Sequence, residues 1–179
     1  MQLSYDPRAD RLLWQLRTRD GAVVGVWLTR RMVARLWPPF QQLVVQAHLQ
    51  QSTQPGSIAV PQAREMMAEV ARQRPLPGTD FRAPFDAQAV SRPLGPEPLL
   101  ADQIELVPTP PAQGKGVQIR IRESGGRSLE LSLSDEMSTA LMRLMESAIS
   151  ASAWFDGTTL PAAAAPTQAP PGEKPTVLN

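Results

Sequence analysis

His48 is the only histidine in the chain, and histidine is the one side chain that titrates near neutrality unaided. Late in a helical region and alone, it reads as an ordinary helix residue. A general base needs a group to act on, and no second histidine is present to build a metal site. Asp135-Glu136 offers two carboxylates, but adjacent helix residues do not face each other. They read instead as charge at a helix N-terminus, where it is worth about 0.3–1 kcal/mol. Ser124-Gly125-Gly126-Arg127 is glycine-rich, yet it lies between two strands. A phosphate loop leads from a strand into a helix whose free amides hold the anion, so these glycines are turn residues. No Gly-x-x-x-x-Gly-Lys or Gly-x-Gly-x-x-Gly motif occurs. The chain has no cysteine, which removes disulfides, thiolate metal sites and thiol nucleophiles. The expectation is a non-enzymatic protein with no catalytic residue, metal or cofactor.

The elements that would position any site come in two similar sets. Leu12–Thr29 and Val117–Ser134 align without a gap at one offset, 105 positions, which carries Gly21 onto Gly126 and Thr29 onto Ser134. In the first set, Leu12, Trp14 and Leu16 alternate with mostly polar residues, the period of a half-buried strand. Asp20-Gly21 is a hairpin signal, since both residues tolerate positive φ. Val24, Val26 and Leu28 line the return strand. Thr29 then caps a helix carrying Met32, Leu36, Phe40, Leu43 and Val44 at helical spacing. Pro38-Pro39 predicts a kink or break there, since an interior proline costs about 3 kcal/mol. The second set pairs Val117, Ile119 and Ile121 with Leu129, Leu131 and Leu133. Ser134 caps a helix with the stripe Met137, Leu141, Leu144, Met145, Ala148 and Ile149. Short strands are expected at 1–6 and 102–108, and a further amphipathic helix at 60–74.

The fold class expected is α+β: two pseudo-symmetric strand-strand-strand-helix repeats forming an antiparallel β-sandwich or a partly open barrel with helices packed on it. A single sheet with all helices on one face is the alternative. One domain spans 1–156, with repeat one at 1–52, a helix and Pro-rich linker at 53–101 and repeat two at 102–156. Residues 157–179, rich in Ala and Pro, are expected to be a disordered tail.

Net charge is +1 over 179 residues, so no global field points to nucleic acid or an anionic membrane. The first residues are not a charged stretch followed by an apolar one, and no apolar run approaches the roughly 20 residues of a membrane span. A bacterial, cytoplasmic location is expected.

The two sets differ on their outer faces. Gln118, Arg120 and Arg122 opposite Ser128, Glu130 and Ser132 make a plain solvated face. The first set instead places Leu13, Val23 and Trp27 there. An apolar outer face needs a cover, either the 60–74 helix, the Pro-rich linker or a partner. The second helix opens with Asp135-Glu136, in accord with its dipole. The first opens with Arg30-Arg31, against it, and Arg35 follows. The candidate interaction surface is therefore Leu13, Val23, Trp27, Arg30, Arg31 and Arg35. Its expected use is binding a protein partner or a second copy. Anion or nucleic-acid binding through the arginines is the alternative.

The segment from Asp20-Gly21 through Trp27-Leu-Thr-Arg-Arg31 to Leu36-Trp37-Pro38 resembles one in a family of short, uncharacterised proteobacterial proteins. The resemblance covers about the first 50 residues and implies no activity, ligand or site residue.

Overall fold

A computed structural model describes residues 1–52, 69, 70, 73, 76, 85, 86, 88–108, 116–155 and 176–178. The alternating segments form strands β1 (Gln2–Asp6), β2 (Arg11–Arg17) and β3 (Val23–Thr29), a meander that runs directly into helix α1 (Arg30–Ser52). The short β4 (Leu99–Leu100) follows. Strands β5 (Gln103–Pro108), β6 (Gly116–Arg122) and β7 (Ser128–Ser134) make a second meander, which runs into α2 (Asp135–Ser152). The first sheet has the order β1-β2-β3-β4. The second is β7-β6-β5, and a three-residue strand β8 (Thr176–Leu178) adds at the far edge of β5. The fold is α+β. The strands form two sheets, neither of them closed into a barrel, rather than a single sheet with one helical face. The helices bridge the sheets: α1 touches β3, β5 and β6, while α2 touches β1, β6 and β7. One apolar core runs through all of them, including Leu12, Trp14 and Val26, Ile104 and Ile119, Phe40 and Met142.

Each meander closes by the same local chemistry. Thr18 N–H donates to Ala22 O and Gly21 N–H to Thr18 O. In the second hairpin Glu123 N–H donates to Arg127 O and Gly126 N–H to Glu123 O. Gly21 and Gly126 adopt φ of 82° and 91°, whereas Asp20 stays at negative φ. The turn is therefore one residue longer, on its N-terminal side, than an Asp-Gly pair alone would make, with glycine alone in the left-handed region. Thr29 Oγ1 accepts from Met32 N–H and Ser134 Oγ from Met137 N–H, each at 3.2 Å. These hydroxyls satisfy amides that no helical carbonyl can reach.

Pro38 and Pro39 lie inside α1, which continues through them to Ser52 without a break. Burial of Trp37, Phe40 and Val44 on either side of the prolines holds that helix together. On α2 the buried face is Ser138–Met142, Met145, Ala148 and Ile149. Met137, expected in the apolar stripe, is exposed, and Met142 takes the core position instead. Of the helix expected at 60–74, Glu69, Val70 and Gln73 are helical and the remainder lies outside the described residues. Within the expected tail, Thr176–Leu178 pairs antiparallel with Ile104–Leu106, while 156–175 lies outside the described residues. Among the described residues, no helix is long and apolar enough to cross a membrane.

Candidate functional site

The outer face of the first sheet is built by register. Ser4 lies opposite Leu13, Leu13 opposite Trp27, and Trp27 beside Leu100 of β4. Leu13, Trp27 and Leu100 thus form one apolar row across three strands, each of them half-buried. Trp14, Trp37 and Trp154 are core residues; of the four tryptophans only Trp27 is not.

The chain itself covers the end of this face nearest the turn. Val23 is 2% exposed. Its N–H donates to Ser91 O, Val90 N–H donates to Gly21 O, and Ala22 bridges Ser91 in parallel. A side chain at Gly25 would meet Pro98 Cβ at 3.1 Å, so Pro98 occupies the space above it. Further along, Ala101 N–H donates to Trp27 O. The Pro-rich linker is therefore the cover for Val23 and Gly25, and it leaves Leu13 and Trp27 only partly sheltered.

The three arginines fall into two situations. Arg30 stacks its guanidinium over Phe155, 5.5 Å from the ring centroid, a cation–π contact. Phe155 packs edge-on against Trp154, and Trp154 edge-on against Tyr5. Asp10 Oδ1 accepts from Trp154 Nε1 at 2.6 Å and from the Tyr5 hydroxyl at 2.9 Å. The indole N–H, the phenol and the nearby Arg30 charge hold the Asp10 carboxyl below its usual range. Arg30 thus belongs to a cluster that joins β1, the turn after it and the end of α2. Arg31 and Arg35 are exposed and have no ion-pair partner among the described residues. Arg17, on the preceding strand, pairs with Asp86. The six candidates therefore do not form one surface: Val23 is covered, Leu13 and Trp27 share the outer sheet face, and Arg30 is committed to Phe155.

The densest polar constellation lies elsewhere, at the β6–β7 turn. Arg127 donates to both Glu123 carboxylate oxygens, at 2.6 and 2.8 Å, and to the carbonyls of Leu94 and Glu97, both at 2.9 Å. Glu123 also accepts from Leu100 N–H at 2.9 Å. Asp102 accepts from the Ser124 amide and hydroxyl, both at 2.7 Å. The Arg127 guanidinium, then the Leu100 amide, lower the Glu123 pKa, and the two Ser124 donors lower that of Asp102. This is a clamp on residues 94–102, and its groups are spent on one another rather than offered to a substrate. The sequence reading of Ser124–Arg127 as a turn holds, but it misses the clamp. Arg127 follows the glycine pair directly, and nothing in that local pattern tells a clamp from an ordinary turn arginine.

Glu105, 8% exposed, is the one buried carboxylate in the second sheet. Arg120 stands between it and Glu130, at 3.9 and 3.2 Å. Among the described residues there is no group of three or more His, Cys, Asp or Glu side chains that could hold a metal ion. No family model, curated protein or solved structure matches the chain.

Proposed function

We propose that this chain is a non-catalytic interaction module whose contact surface is the outer face of the first sheet, centred on Trp27. The observation that carries this reading is the half-buried row Leu13–Trp27–Leu100 on a face where the matching hairpin of the second sheet carries Gln118, Arg120 and Arg122 opposite Ser128, Glu130 and Ser132. Tryptophan anchors interfaces because it loses much apolar surface to water-free contact at little entropic cost. The same reading takes the two halves as copies of one repeat that have diverged on their outer faces. Coincident strand registers, turn hydrogen bonds and helix caps at the 105-residue offset support that. The second reading, anion or nucleic-acid binding, is supported by Arg31 and Arg35, exposed and without an ion pair among the described residues.

One affinity-capture experiment separates the two. Trp27→Ala should remain folded and lose the captured protein, a drop of roughly tenfold or more in affinity for an interface anchor. Arg31→Ala with Arg35→Ala should leave that capture intact. Capture unaffected by Trp27→Ala, together with nucleic-acid binding that falls steeply with salt, would replace the first reading by the second.

A further inference from the structure

We infer that the free edge of β7 is a strand-addition site, and that its occupant is β7 of a second copy of this chain. The proposal concerns the other sheet and does not rest on the Trp27 reading. It starts from a difference between matching strands. At the edge of β3 the chain supplies its own cover: Val23 N–H reaches Ser91 O, Trp27 O receives Ala101 N–H, and Leu99 of β4 sits beside Val26. The offset carries Val23 onto Ser128, Val26 onto Leu131 and Trp27 onto Ser132. The hairpins share their turn hydrogen bonds and register, so the even-numbered residues of β7 turn their backbone groups outward in the same way. β7 ends its sheet, and no described residue pairs with that edge.

The inner side chains register the missing cover. Val24 and Val26 of β3 are 6% and 0% exposed, whereas Leu129 and Leu131, at the matching positions, are only partly buried. What β7 lacks is an equivalent of Leu99. The strand also lacks the usual edge defences, for it contains no proline, no lysine and no bulge. Its single charge, Glu130, is drawn back over the sheet by Arg120 and Gln118.

A second copy fits because the strand is complementary to itself. Ser128–Ser134 has Leu131 at its midpoint. Antiparallel pairing about a twofold axis at Leu131 uses the whole strand. Ser128 then faces Ser134 and Glu130 faces Ser132, so the outward backbone groups pair with one another. On the inner face Leu131 meets its own copy and Leu129 meets Leu133. Pairing about Glu130 instead would oppose two carboxylates, which is destabilising. The product is one continuous sheet, β5-β6-β7 joined to its copy, across an isologous twofold interface.

The test is sedimentation of the full chain over a concentration series, with two variants. Ser132→Pro removes an amide that β6 does not use. It should weaken self-association roughly tenfold or more while circular dichroism stays unchanged, and Trp27→Ala should leave self-association intact. The chain has no cysteine, so a single introduced thiol reports the register even if the proline variant fails to fold. At a non-hydrogen-bonded position the two Leu131 Cα atoms lie about 4.5 Å apart, within reach of a disulfide. Leu131→Cys should therefore form covalent dimers under mild oxidation, and Leu129→Cys should not. A wild type that stays monomeric throughout would overturn the proposal. So would equal cross-linking at both positions, or Glu130 and Ser132 amides protected from exchange at every dilution, which would mean that the chain covers the edge itself. Association lost in Trp27→Ala but kept in Ser132→Pro would also overturn it, while favouring the first-sheet surface.

Discussion

Asp10 ties β1 to the residues that follow α2, taking hydrogen bonds from Tyr5 and Trp154 on one carboxylate oxygen while its own backbone sits at φ 49°. Both donors favour the ionised form, so its folded pKa lies below the unfolded one. Its contribution to stability is complete above the unfolded value of about 3.9 and is lost as pH falls through the lower folded value. Glu123 and Asp102 are depressed as well, and the protein should lose stability below about pH 4. In urea titrations across a pH series, Asp10→Asn should show a shallower acid limb than wild type. An unchanged limb would mean that the Tyr5–Asp10–Trp154 contact contributes nothing in solution. Arg127 carries the complementary lesson. Nothing near it in sequence announces a clamp, because the carbonyls that it holds, Leu94 and Glu97, are some thirty residues away.

The two hairpins offer a controlled comparison at the scale of the element. Gly21 and Gly126 occupy equivalent turn positions at similar positive φ, so alanine at either place costs the left-handed penalty of about 1–2 kcal/mol. At Gly126 the added methyl meets open space, while at Gly21 it would lie 2.8 Å from Val90 Cγ2. Val90 is anchored there by its own N–H on Gly21 O. Gly21→Ala should therefore be the more destabilising of the two in chemical denaturation, and it alone should speed exchange of the Val23 amide. Equal losses would show that the linker does not bear on the turn. Alternation, turn glycines and capping hydroxyls were legible here, since each depends on residues within a few positions of one another. The extent of the turn was less so: Asp20 tolerates positive φ but does not use it, because Thr18 and Gly21 close the loop.

One core joins both sheets and both helices at the scale of the whole molecule. α2, which follows the second meander, packs on β1 of the first, and α1 packs on β5 and β6 of the second. Neither half can unfold without uncovering the other. Phe40→Ala, which removes a fully buried ring, should cost about 3–5 kcal/mol. Unfolding followed by tryptophan fluorescence and by far-ultraviolet circular dichroism should still coincide in a single transition. Two separated transitions would mean that the halves fold independently.

By itself the sequence determined the six strands of the two meanders and the helix after each, the site of each hairpin turn, the hydroxyls that cap the helices and most of each apolar face, but not β4 or β8, which lie in the expected linker and tail. Those properties come from short-range stereochemistry and from side-chain periodicity, both written into neighbouring residues. The tertiary structure alone decided what lies against each apolar face. The linker lies along Val23, β4 joins β3 in parallel, Arg30 goes to Phe155, and the matching edge of β7 receives no such cover among the described residues. Hydrophobic attraction scales with area and has no direction. An apolar pattern therefore says that a face must be buried without saying by what, and contacts between residues far apart in the chain supply the answer.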